Sequence, residues 1–108
     1  MEETLNPARP LDKHTLTTLL NLYHLVLSYY TTFNFFKGIC SVIHHMYKTD
    51  VISIDSFTLL INHFRAIPRP IDANHYAFNY YWHINNTARR IEFLKEIIED
   101  LNKDLINN

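Results

Sequence analysis

A single glycine, Gly38, serves the whole 108-residue chain, and this scarcity constrains the fold more than any other feature. Tight β-turns draw on residues with positive φ, which glycine adopts without steric cost, so an all-β chain of this length needs several. P-loop and Rossmann turns are excluded on the same ground, because their phosphate-cradling backbones need glycines at fixed spacing. Helices joined by short connectors have no such requirement. With 47% hydrophobic residues against 19% charged, the chain has enough apolar surface to fold, and its length suits one domain around one core.

The apolar spacing agrees. After residues 1–10, which hold Pro7 and Pro10 and read as an N-terminal arm, Asp12 is a candidate N-cap. Leu16, Leu19, Leu20, Tyr23, Leu27 and Tyr30 then recur at steps that place them on one helical face. The aromatic run Tyr29 to Phe36 either continues this helix or turns out of it. Gly38 is expected to let a backbone approach closely or reverse, and Ile39, Val42, Ile43, Met46 and Tyr47 mark a second helix over about 37–48. Ser53 or Asp55 opens a third, with Phe57, Leu60, Ile61 and Phe64 inward, which Pro68 and Pro70 stop. Residues 67–79 lack a period and are long for a connection, making them a candidate functional loop. The last helix begins at Asn86 or Thr87, and Ile91, Leu94, Ile98, Leu101 and Leu105 form its packing seam. The predicted fold is all-α: a compact single-domain bundle of about four helices over residues 1–108.

Net charge is −1, which lacks the broad basic surface that duplex nucleic acid demands. The charge is uneven, since residues 37–91 hold six basic residues against three acidic and residues 92–108 two against five. Cys40 is the lone cysteine, so an intrachain disulfide is impossible and a cytoplasmic setting is expected. There is no long apolar run, so no membrane span is expected.

The sharpest local feature is the start of the last helix. A helix N-terminus carries partial positive charge and unpaired N–H groups, yet Arg89 and Arg90 stand there where acidic residues are favoured. An anion docked against them makes the arrangement favourable; a structural pairing with Glu92 or Glu96, or stacking on Trp82, does so too. Tyr81 and Trp82 supply faces for stacking a base, and Arg69, held between two prolines, projects from the candidate loop. The candidate ligand-binding set is therefore Arg69, Tyr81, Trp82, Arg89 and Arg90. Seven histidines raise a metal reading, and Cys40 with His44 share a helical face, but no Cys-x-x-Cys or His-Glu-x-x-His spacing supports it. No Gly-x-Ser-x-Gly elbow fixes a catalytic geometry either, so neither a cofactor nor an enzymatic role is expected.

Gly38-Ile39-Cys40, the helix ending Met46-Tyr47, Arg69-Pro70, Tyr81-Trp82 and Arg90-Ile91-Glu92-Phe93-Leu94, in this order over residues 37–98, resemble a pattern in small phage-encoded helical proteins. The resemblance implies a phage or mobile-element origin and a counter-defence role, and it brings no catalytic residues with it. Two binding functions follow as expectations. In the first, a homo-oligomer sequesters a small anionic, nucleotide-like immune signal. In the second, the same surface docks on a host defence protein and blocks it.

Overall fold

The computed structural model describes residues 11–67 and 86–107. Among them are four helices and no strand: α1 (Lys13–Thr31), α2 (Ile39–Lys48), α3 (Ile54–Ala66) and α4 (Thr87–Asn107). The all-α bundle expected from the apolar spacing is the architecture observed. No helix among the described residues is long and apolar enough to cross a membrane. The N-terminal arm and all but Ile67 of the candidate loop 67–79 lie outside the described residues.

Each helix starts where a side chain or a free backbone geometry lets it start. The Asp12 carboxylate accepts from the Thr15 N–H at 2.7 Å, which holds its acid below the usual carboxylate range. Ser53 does the same for α3, accepting from the Ser56 N–H at 3.1 Å. This helix also carries Asp55 in its first turn and His63 and Arg65 in its last, the placement a helix dipole favours. It ends at Ile67 with φ −63° and ψ 128°, the extended conformation imposed on a residue that precedes proline.

α1 packs most extensively against α4, and α2 and α3 pair with each other and each also touches α1. The common core holds Leu16, Leu19, Tyr23 and Val26 from α1, Val42, Ile43 and Met46 from α2, Leu60 from α3 and Leu94 from α4, all fully buried. The expected inward stripes of the first three helices are largely those observed, with Leu27 and Phe57 only half-buried and Tyr47 exposed. In α4 the buried stripe is Arg90, Leu94, Ile97, Ile98 and Leu101, rotated from the expected seam so that Ile91 and Leu105 sit at its margin.

Gly38 does not do what a lone glycine was expected to do. Its φ is −66° and ψ 169°, open to any residue, and a Cβ placed on it meets nothing within 4 Å. It occupies the N-cap of α2 and offers no side chain to it. The left-handed conformations fall instead on Asn34 (φ 56°) and Asp50 (φ 63°). Asp50 terminates α2 in a Schellman arrangement: its N–H reaches the Tyr47 carbonyl at 3.1 Å, and the Val51 N–H reaches that of Met46 at 2.8 Å. Asn and Asp tolerate this region better than other side chains, so both left-handed steps among the described residues are made without glycine.

Gly38→Ser is therefore expected to stabilise the fold by about 0.5–1 kcal/mol, by capping α2 and restricting the unfolded chain. Asp50→Gly should add roughly 0.5 kcal/mol by relieving the left-handed backbone. Urea denaturation of the two variants beside wild type checks both signs.

Candidate functional site

The first turn of α4 meets the connector between α1 and α2. Asn86 caps the helix, its Oδ1 accepting from the Arg89 N–H at 3.3 Å while its carbonyl accepts from the Arg90 N–H at 3.1 Å. The two arginines then part. Arg89 is exposed. Arg90 is only 5% exposed, and its Nη1 donates to the Phe36 carbonyl at 2.9 Å while its guanidinium carbon lies 5.8 Å from the centre of the Tyr30 ring.

Arg90 thus spends a charge-assisted bond on the backbone of the connector, and the ring beneath it is Tyr30. Burial pushes the Tyr30 phenol up, against the opposing pull of Arg90, so Tyr30 stays neutral and its hydroxyl donates to the Lys37 carbonyl. Of the five candidate ligand-binding residues, Arg69, Tyr81 and Trp82 lie outside the described residues. Arg89 and Arg90 are neighbours in sequence that face different surroundings.

The connector itself is the part of this region that the residue pattern left unassigned. The Phe35 N–H reaches back to the Tyr29 carbonyl at 2.9 Å, and Asn34 supplies the left-handed step. Phe35 turns inward among Tyr29, Tyr30 and His45, with ring centres 5.9, 6.3 and 5.4 Å away. Phe33 and Phe36 turn outward and remain 65% and 75% exposed, Phe33 resting against Tyr29 at 5.5 Å. Three phenylalanines within four residues cannot all enter the core from one turn, which is the signal that sequence carried for an aromatic surface here.

A second polar cluster lies inside the bundle. The Tyr23 hydroxyl and His63 Nδ1 are 2.8 Å apart, linking α1 to α3 across the core. Burial pushes the Tyr23 phenol well above its ordinary range and lowers the His63 imidazolium, with Asp104 opposing the latter. Burial also raises the Cys40 thiol, against the opposing pull of Arg65, the reverse of what a nucleophilic thiolate needs. His44 turns Nδ1 to the Cys40 carbonyl at 2.8 Å, and no group of three or more ligating side chains suited to a metal occurs among the described residues.

No protein-family model matches this chain, and no curated protein or solved structure does either.

Two outcomes are expected from this geometry. Arg90→Met should cost about 1.5–3 kcal/mol, since it leaves the Phe36 carbonyl without its charged donor, whereas Arg89→Gln, at an exposed side chain, should cost less. Chemical denaturation of both variants separates them. For His63, the unfolded chain binds the proton more readily than the folded one, so stability should be greatest above the ordinary imidazole range and fall as pH drops through about 6.5. His63→Gln should flatten that fall, read as the change in unfolding midpoint between neutral and mildly acidic buffer.

Proposed function

We propose that this is a non-enzymatic binding protein that docks on a partner protein through the Phe33–Phe36 turn and obstructs it. The observation that carries the reading is the combination of restraint and exposure at this turn. Bonds from Phe35 to the Tyr29 carbonyl, from Tyr30 to the Lys37 carbonyl and from Arg90 to the Phe36 carbonyl fix its backbone, yet the rings of Phe33 and Phe36 stay in water. Exposed rings contribute little to the fold. On a fixed backbone they enter a partner's pocket with little ordering cost, which is what binding hot spots need. Exposed Arg89 on the adjoining turn of α4 adds a charged neighbour at the rim. The resemblance to phage-encoded proteins makes a host defence protein the partner class, with the protein acting in the host cytoplasm as a counter-defence inhibitor.

The second reading is sequestration of a small anionic, nucleotide-like signal by a homo-oligomer. Exposed Arg89 in the first turn of α4 favours it, because N–H groups and a guanidinium there suit a phosphate. The burial of Arg90 against the connector leaves this reading with one candidate cation among the described residues of the set, which is why it ranks second.

The double variant Phe33→Ser/Phe36→Ser should keep its stability within about 1 kcal/mol and lose the inhibitory effect in a phage-defence assay, together with the partner recovered by cross-linking in infected cells. Arg89→Gln should retain most of both. If the phenylalanine variant stays fully active while Arg89→Gln loses activity and a co-purifying small anion detected by mass spectrometry, the ranking of the two readings is reversed.

A further inference from the structure

Along the outer side of the α1–α4 pair runs an open groove of about 510 Å³, clear of the aromatic turn. Its floor is apolar, formed by half-buried Leu27 of α1 and by Ile98 of α4, and its α4 rim carries Lys95, Glu99 and Lys103. At the far end stands Ile106, 82% exposed and the most exposed large hydrophobic side chain among the described residues. From Lys95 to Ile106 the helix rises roughly 16 Å, about three turns.

The geometry points to this groove as a self-association surface whose occupant is the α4 helix of a second copy of the chain, packed antiparallel across a two-fold axis near Leu101. The charge arrangement carries the choice of occupant. Lys95, Glu99 and Lys103 are spaced four residues apart, so they form a row of alternating sign on one face. An antiparallel copy displaced by one helical turn sets Lys103 against Glu99 and, by the two-fold, Glu99 against Lys103. Both lysines of residues 92–108 line the groove, together with only one of the five acidic residues there, Glu99.

The same register sets Ile106 of each copy at the level of Glu96 in the other, about 3 Å along the helix from Ile98 of the apolar floor. The most exposed apolar side chain and the apolar floor thus satisfy each other, in the isologous manner a two-fold interface requires. A groove meant for a foreign helix has no reason to match the charge row and the protruding isoleucine of its own rim.

Light scattering and sedimentation equilibrium of the full chain test this. Wild type should show a mass of twice 12.9 kDa that dissociates on dilution. Ile106→Glu should raise the dimer Kd by roughly tenfold to a hundredfold without lowering stability, because the side chain is exposed in the single copy. Glu99→Lys and Lys103→Glu should each be monomeric alone and should dimerise when mixed, since the mixture restores opposite charges across the axis. A wild-type chain that stays monomeric at 100-micromolar-order concentration overturns the proposal. So does a dimer indifferent to Ile106→Glu, or a pair of charge variants that mixing does not rescue; either result assigns the groove to another occupant.

Discussion

The bond from Arg90 to the Phe36 carbonyl is the point on which the arrangement of helices turns. It lies where the end of α1, the connector and the first turn of α4 converge, and it joins residues 54 positions apart. The Phe36 carbonyl belongs to an irregular segment with no helical ladder to satisfy it, and a buried guanidinium has no water to donate to. Each supplies what the other lacks. Magnitudes decide the sign: a cation in the first turn of a helix loses about 0.3–1 kcal/mol to the dipole, whereas a hydrogen bond to a charged group contributes about 1.5–3. The reversed charge at the start of α4 is thereby more than offset by one contact, and the α1–α4 pairing that dominates the fold is held in register at that end.

How far sequence spells out this structure depends on which interaction sets each feature. Apolar spacing sets the helices, so α1, α2, α3 and α4 are all legible, as are the caps Asp12, Ser53 and Asn86, whose side chains act within three residues of themselves. Two features were not legible because non-local packing decides them. Arg90 stands four residues before Leu94, in step with Leu94, Ile97 and Leu101, yet a charged residue is read out of an apolar stripe until its acceptor 54 residues away is known. Gly38 was the natural place for a left-handed turn, and the chain used Asn34 and Asp50, whose side chains are also tolerated there.

The candidate site divides along the same line. The pairing of Arg89 and Arg90 as equivalent phosphate ligands follows from adjacency in sequence, but adjacent helical residues lie about 100° apart around the axis, and here one faces solvent and the other the core. The aromatic run that blurred the end of α1 is resolved by the same geometric economy: Phe35 fills the space between Tyr29, Tyr30 and His45, and the positions on either side of it project outward. A turn built around one half-buried ring presents its neighbours.

α4 is therefore the strut for both proposed surfaces. Its first turn anchors the connector that presents Phe33 and Phe36, and its last three turns carry the charged row and Ile106. Because the two surfaces use different residues, occupancy of one leaves the other open, and a two-fold dimer displays two aromatic turns. The gain from that duplication depends on the partner. Against a monomeric target a second turn adds only a statistical factor of about two, whereas an oligomeric target with matching spacing converts the second contact into an intramolecular one and raises avidity by about 10²–10⁴. The acidic outer faces of α4 limit which targets qualify. With four of its carboxylates outside the groove, the dimer repels an acidic surface along its axis, so a favourable target carries apolar pockets for the phenylalanines and a basic or neutral span between them.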